Sequence, residues 1–168
     1  MERNWKRLFS ALLLLLSVVV TGCSTTQASV KKDYFTLEKS EQTQEIVVYA
    51  IGLLGTNYRF GGNHPEAGLD CSGMVSYVVA QVSGRKLPHN AARIAAMTQP
   101  IKKEQLQPGD LVFFNTSRKK YSHMGIYLGS GKFIHAPATQ GQVRVEKLDN
   151  PYFKKRFDGA RTLLARGD

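Results

Sequence analysis

The spacing of apolar residues changes once along this chain, and that change restricts the possible fold more than any other feature. Residues 43–54 and 71–82 carry apolar side chains three and four positions apart, which is the spacing of amphipathic helices. A shorter helix is predicted at 91–97. From Pro108 onward the apolar residues alternate, as in strands. Helices followed by consecutive strands predict an α+β fold, with N-terminal helices packed on a mainly antiparallel five- to six-stranded sheet.

Glycine, proline and asparagine divide the second half of the chain into short segments with strand composition. These segments are DLVFF (110–114), SHMGIYL (122–128), KFIHA (132–136), VRVEKL (143–148) and ARTLLA (160–165). One more short strand is predicted at 58–61, before a turn-rich stretch.

The first 22 residues have the organisation of a bacterial export signal. Basic residues precede an apolar run from Leu8 to Val20, which is shorter than the roughly 20 residues that span a membrane. The following VTGC (20–23) resembles the lipobox of bacterial lipoproteins, which implies cleavage before Cys23 and lipidation of its sulfur. Ser24 replaces the aspartate that often retains lipoproteins at the inner membrane. The expected location is therefore the cell envelope and, if the cell is Gram-negative, the outer membrane facing the periplasm.

Three segments are predicted along the chain. Residues 1–22 are the lipoprotein signal peptide, and 23–42 are a lipidated N-terminus with a flexible, polar tether. Residues 43–168 form one folded domain that is expected to carry the activity. The formal net charge is +10, but the basic residues are scattered, so nucleic acid is not an expected partner.

Cys71 lies at the start of the predicted helix 71–82. The free N–H groups and the dipole at a helix N-terminus stabilise an anion, so the pKa of this thiol is expected below its ordinary value. If Cys23 is lipidated, Cys71 stays unpaired in an oxidising compartment, which favours a nucleophile. A Cys23–Cys71 disulfide is the alternative, and it requires the lipobox to be coincidental.

Two histidines flank a glycine-bearing hairpin loop. If the loop is 129–131, Gly125 pairs with His135, and His123 lies on the same face two residues away. A two-residue loop would put the two imidazoles on opposite faces. With a shared face, His123 can act as the general base for a thiol and His135 can orient its ring.

Other uses of the histidines carry less weight. His64 lies in a turn-rich loop and His89 follows Pro88, so both are expected mainly at the surface, with a smaller chance that they line the cleft. Cys71, His123 and His135 could together bind zinc, but the sequence lacks the close Cys/His spacings typical of zinc sites. Neither a metal nor a cofactor is therefore expected.

Three blocks of sequence together resemble one protein family. YRFGGNHPEAGLDCSGMVSYV (58–78), LQPGDLVFF (106–114) and SHMGIYLGSGKFIHA (122–136), in this order, resemble the NlpC/P60 family of cell-wall cysteine peptidases. The resemblance covers about residues 43–165 and implies a papain-like fold. It also implies that Cys71 is the nucleophile, His123 the base and His135 the third polar residue.

The same resemblance implies further roles around the nucleophile. Tyr58 would support the oxyanion or the substrate, and Asp70 and Ser72 would bind the stem peptide. The sequence departs from the family pattern at LPHNAA (87–92), where many members have Leu-Pro-Arg, and at Asn57, which is commonly proline. The first departure leaves the cleaved bond open.

The expected function is that of a peptidoglycan endopeptidase with a Cys-His-His thiolate mechanism. Its bond would be either γ-D-glutamyl–diaminopimelate or the D,D cross-link from diaminopimelate to D-Ala. An N-acetylmuramoyl-L-alanine amidase and a non-catalytic envelope scaffold lipoprotein are the alternatives. The expected partners are peptidoglycan and, through Cys23, the membrane, while an adaptor lipoprotein stays an open question.

Overall fold

The computed structural model describes residues 32–37, 41–138 and 141–164. The predicted signal peptide, the lipidation site at Cys23 and most of the predicted tether lie outside these ranges. From Asp33 onward the chain forms one compact unit. None of the helices in the described ranges is long and apolar enough to cross a membrane.

Four α-helices occur in the described residues. They are α1 (Glu41–Ile51), α2 (Cys71–Ser83), α3 (Ala91–Met97) and α4 (Pro151–Arg156). The helices predicted at 71–82 and 91–97 are thus confirmed to within one residue. The first helix begins two residues before its predicted start and ends at Ile51, three residues early. The short α4, which starts with proline at its first turn, was not predicted.

Six strands form the main sheet. They are β3 (Gln99–Ile101), β4 (Leu111–Phe114), β5 (His123–Gly129), β6 (Lys132–His135), β7 (Arg144–Lys147) and β8 (Phe157–Thr162). Their spatial order is β3-β8-β4-β5-β6-β7, and every neighbouring pair is antiparallel. The predicted α+β class and antiparallel sheet are confirmed. A separate two-stranded sheet joins β1 (Asn63–His64) to β2 (Gly68–Leu69).

Two expectations about the N-terminal half are wrong. The strand predicted at 58–61 does not form, because Tyr58 makes only an isolated bridge to Leu69 before the chain turns. The predicted tether ends earlier than residue 42, because Phe35 and Leu37 are buried in the core. The backbone N–H of Phe35 donates to the carbonyl of Met97 at 2.7 Å, which fixes this segment on the domain.

The sheet carries apolar residues on both faces. One face packs against α1 and α2, and Met124 and Ile126 of β5 belong to the same main core as Ile46 and Val78 of the helices. The other face carries a smaller apolar cluster, which we call the aromatic face. The buried residues of the aromatic face are Val112, Phe114, Phe133, Leu148 and Phe153. Because side chains alternate along a strand, His123 lies on this second face while its neighbour Met124 points to the helices.

The hairpin between β5 and β6 has a different loop from the predicted one, yet it keeps the predicted face. Gly129 pairs with Lys132, so the loop has two residues rather than three. A bulge between Tyr127 and Gly129 adds one residue to β5 and restores the register, so Ile126 pairs with Ile134 as predicted. The bulge therefore cancels the change of face that a two-residue loop alone would cause.

Candidate active site

The start of α2 is organised around the carboxylate of Asp70. Its Oδ1 accepts hydrogen bonds from the Gly73 N–H at 2.7 Å and the Ser72 hydroxyl at 3.0 Å. Its Oδ2 accepts from the Gly61 N–H at 3.1 Å and lies 2.8 Å from His89 Nε2. Asp70 is thus the N-cap of the helix and also connects it to two loops.

Glycine allows one of these loops to pack directly on the first turn of α2. A Cβ atom on Gly73 would lie 2.0 Å from the carbonyl oxygen of Gly62, closer than any side chain tolerates. The same atom would lie 3.0 Å from His89 Nε2. The sequence GG at 61–62 and the glycine of DCSG therefore bring the 57–62 segment against the helix end that carries Cys71.

The pKa of Cys71 differs in direction from the sequence-based expectation. Burial raises the pKa of the thiol to about 11, and the negative charge of Asp70 adds to the rise. The backbone N–H groups of Met124, Ser72 and Cys71 itself act in the opposite direction but do not outweigh burial. In the free protein at neutral pH the thiol is therefore protonated, and the expected resting thiolate is wrong.

Alkylation by iodoacetamide measures this protonation state directly. Since only the thiolate reacts, the rate of Cys71 alkylation is expected to rise steadily with pH beyond pH 9, because the pKa lies near 11. A small cysteine-containing peptide serves as the control and reaches its plateau near its ordinary pKa of about 8.5. A Cys71 rate that is already constant between pH 6 and 8 would contradict a protonated resting thiol.

His123 and His135 meet as the hairpin geometry predicted. His123 Nε2 and His135 Nδ1 are 2.7 Å apart, and the two rings pack edge to face. His135 is fully buried and His123 is 7% exposed. The ring of Phe153, from α4, packs against both imidazoles. The pair is therefore held on the aromatic face with one ring almost at the surface.

Burial determines the charge of this pair. It lowers the pKa of His123 to about 4; the negative charge of Asp70 opposes this effect, and the positive charge of Arg144 reinforces it. Burial also lowers the pKa of His135 far below its ordinary value, with His123 and Arg144 contributing in the same direction. Both rings are thus neutral at pH 7, and His135 Nδ1 can accept a hydrogen bond from a protonated His123.

The thiol and the histidine pair approach each other at the start of β5. The Met124 N–H faces the Cys71 sulfur, and Met124 directly follows His123 in the strand. Because Nε2 of His123 bonds to His135, its Nδ1 is the ring nitrogen left for the thiol. In the described part of the chain, no hydrogen bond joins the Cys71 sulfur to either ring. Such bonds are often long in enzymes without substrate.

The other residues singled out from the sequence also lie around Cys71. The pKa of Tyr58 is raised by burial and by the charges of Asp70 and Cys71, so its hydroxyl is within electrostatic reach of both. Ser72 is buried and donates to Asp70. Cys71, Tyr58, Asp70 and Ser72 therefore form one group, as the sequence suggested.

Two residues of the site were missed. His89, expected at the surface, is 30% exposed and holds Asp70. Arg144 was given no role, yet it lines a cavity of about 370 Å³ together with both histidines, Thr116 and Phe153. Of these two residues, only His89 stood out in the sequence, because it occupies a position where many family members have arginine.

The four donors on Asp70 predict an unusually important helix cap. Asp70→Ala is expected to lower the free energy of unfolding by about 2–3 kcal/mol, because the cap and the His89 pair are lost together. Asn90→Ala is the matched control, because the Asn90 side chain caps α3 through a single bond to the Arg93 N–H. That control is expected to cost about 1 kcal/mol in urea unfolding. Equal losses for the two variants would contradict the wider role of Asp70.

Comparison with known proteins agrees with this geometry. The model of the NlpC/P60 family matches residues 55–162, which include the start of α2 and the histidine hairpin. The sequence is 36% identical over 114 residues to murein DD-endopeptidase MepH of Escherichia coli strain K12, covering 66% of this chain and 42% of MepH. It is 38% identical over 117 residues to gamma-DL-glutamyl hydrolase of Bacillus subtilis strain 168, covering 69% of this chain and 28% of that protein.

A solved structure shares the fold. The NlpC/p60 domain of the peptidoglycan hydrolase SagA superposes with a TM-score of 0.63 at 34% sequence identity, over 71% of this chain and 97% of that domain. The chain spans less than half the length of the two curated relatives. The α+β fold inferred from the sequence is confirmed by this similarity.

Proposed function

Because this chain belongs to the NlpC/P60 family, we propose that it is a cysteine peptidase that hydrolyses an amide bond in the peptide part of peptidoglycan. The observation that carries the proposal is the 2.7 Å contact between His123 and His135, adjacent to the strand position where the backbone meets Cys71. A nucleophile, a base and an orienting group are the parts that acyl transfer needs.

In the proposed first step, the thiol proton passes to His123 Nδ1 as the sulfur attacks the carbonyl carbon of the scissile amide. The resulting imidazolium donates through Nε2 to His135 Nδ1, which burial keeps neutral and able to accept. The N–H groups of Cys71 and Met124, with the Tyr58 hydroxyl, would stabilise the charge that develops on the substrate oxygen.

In the later steps, His123 gives its proton to the leaving amine, and the tetrahedral intermediate collapses to a thioester on Cys71. A water molecule then loses a proton to His123 and attacks the thioester carbon. Release of the carboxylic acid returns the proton to the sulfur. The protonated resting thiol fits this cycle, because proton transfer accompanies attack rather than preceding it.

The substrate bond is part of the proposal. The names of two similar proteins refer to different bonds: one is a murein DD-endopeptidase and the other a gamma-DL-glutamyl hydrolase. We propose cleavage of either the D,D cross-link or the γ-D-glutamyl–diaminopimelate bond. Digestion of purified muropeptides with the purified protein, followed by mass analysis, names the bond from the product masses. Muropeptides that all stay intact would overturn the proposal, and release of stem peptides from muramic acid would indicate an amidase.

Membrane attachment is a separate proposal, and it rests on the VTGC sequence at 20–23. We propose that Cys23 carries the lipid and anchors the protein to the outer membrane, facing the periplasm. Labelling of cells with a palmitate analogue should mark the wild-type protein and leave Cys23→Ala unmarked. Fractionation of the two membranes then tests the location.

A further inference from the structure

Arg144 occupies a distinctive position beside the histidine pair. It is the first residue of β7 and lies opposite His135 in the register of the sheet. Its side chain is 48% exposed and lines the cavity of about 370 Å³ that also contains His123 and His135. The arginine therefore presents a positive charge to this cavity next to the proposed base, and its ion-pair partner Glu146 lines the same cavity.

Neighbouring residues fix the orientation of the guanidinium. Arg144 Nε donates to Glu146 Oε1 at 2.9 Å, and the Asn150 amide donates to Glu146 Oε2 at 3.4 Å. Within the described residues the two Nη groups make no hydrogen bond. A guanidinium binds a carboxylate through two parallel N–H bonds along one edge, and here the Nη1/Nη2 edge is available for such a pair.

Arg144 is also where two grooves meet. A second groove, on the side of Asn57 and Tyr58, is likewise lined by Arg144. An extended substrate that crosses from the Tyr58 side to the histidine side therefore passes the guanidinium. The carboxylates of peptidoglycan stem peptides supply the complementary charge.

The charge of Arg144 also influences the protonation of the histidine pair. It is one of the causes that lower the pKa of both His123 and His135. A carboxylate bound to the guanidinium would offset this positive charge and stabilise the imidazolium form of His123. Binding of the correct substrate would thus strengthen the base at the moment when it is needed.

We propose that Arg144 forms a carboxylate-binding subsite, oriented by Glu146, that recognises a free carboxylate of the substrate peptide beside the scissile bond. This inference rests on the proposed peptidoglycan hydrolase function. It assigns Arg144 to substrate recognition rather than to proton transfer.

The test combines substrate and protein variants. A set of muropeptides, each with one carboxylate converted to an amide, is compared with the unmodified muropeptide by kcat, KM and calorimetric affinity. For the wild type, amidation of one particular carboxylate is expected to raise KM about 10- to 100-fold, as loss of a charge-assisted bond does, with a smaller change in kcat. Arg144→Gln should show the raised KM on the unmodified muropeptide and no further effect of amidation. Arg144→Lys should have an intermediate KM, because lysine keeps the charge but cannot form two parallel hydrogen bonds to a carboxylate.

Two controls make the result specific. Arg93→Gln removes an equal charge at an exposed position of α3 that does not line the cavity. This variant should behave as the wild type. In Arg144→Gln, loss of the positive charge should also move the acidic limb of the kcat/KM profile to higher pH, as the pKa of His123 rises. A purely structural effect of the substitution would not produce that shift.

The outcomes separate the subsite from the hydrolase. If hydrolysis proceeds and Arg144→Gln keeps the wild-type KM and preference, the subsite is refuted and the hydrolase stands. If nothing is cleaved but calorimetry finds a preference for the free carboxylate that Arg144→Gln loses, the subsite stands and the hydrolase fails. A wild-type protein that binds the free and amidated forms equally, or binds neither, refutes the subsite.

Discussion

Replacing Cys71 with alanine is expected to reduce the turnover of muropeptides at least about 10⁴-fold, the size of loss seen when a nucleophile is removed from a catalytic triad. The reason is that no other side chain at the start of α2 can form the covalent intermediate. Asp70 and Ser72 are engaged with each other and with the helix cap. Discontinuous assays with mass detection of the products measure the loss.

The control for this variant is its fold and its substrate affinity. Although its sulfur is buried, Cys71 lies at the edge of the main core and is a small side chain, so alanine should cost about 1 kcal/mol of stability or less. Cys71→Ala should therefore bind muropeptides with wild-type affinity. Treatment of the wild type with iodoacetamide at high pH should cause the same loss of turnover. Wild-type turnover in a folded Cys71→Ala protein would refute the thiol mechanism.

Replacing His123 with alanine is expected to lower kcat by about 10²–10⁴, the usual contribution of a general acid–base group. KM should change little, because the ring serves proton transfer rather than binding. The loss should be largest near neutral pH. At high pH the thiol ionises without a base, so added base should recover part of the activity of His123→Ala.

His64→Ala provides the matched comparison. His64 is exposed in β1 and contacts Tyr77 rather than the histidine pair. Its replacement removes the same side chain from the same domain and should leave kcat within about twofold, as surface substitutions usually do. If both histidine variants lost activity equally, the special role of His123 would be untenable.

The histidine pair was predictable because its geometry is local. Strand alternation and a glycine-rich loop restrict the register within 13 residues, so His123 and His135 could be assigned to one face. The bulge and two-residue loop that produce this register were not predictable. The bulge beside Tyr127 adds one residue, and its position depends on contacts rather than on turn composition.

The missed residues depend on contacts between distant parts of the sequence. His89 contacts Asp70, which lies 19 positions earlier in the sequence. Arg144 lines the cavity from β7, which pairs with β6 only after the loop that connects these two strands. The spacing of apolar residues along the sequence gives no information on contacts between residues that are far apart in it. Phe35 and Leu37 were assigned to a tether for the same reason, because two apolar residues in a polar stretch show no period.

The pKa of Cys71 shows the limit of reasoning from a helix end alone. The N-terminal N–H groups do favour the thiolate, as the sequence suggested. Burial of the sulfur acts in the opposite direction and is larger, and it depends on the packing of β5 and of the 57–62 segment over α2. The direction of the net pKa shift of Cys71 therefore follows only from the tertiary structure.

The position of β8 has a consequence for the order in which the domain is completed. This strand is the last one in the described residues, yet it lies inside the sheet between β3 and β4. A chain that is still being synthesised or exported can contain Cys71, His123 and His135 and still lack β8, the strand that pairs with the edge of β4 opposite β5. The proposed wall-cutting activity is therefore expected to appear only after residues 157–162 have been delivered and have paired within the sheet.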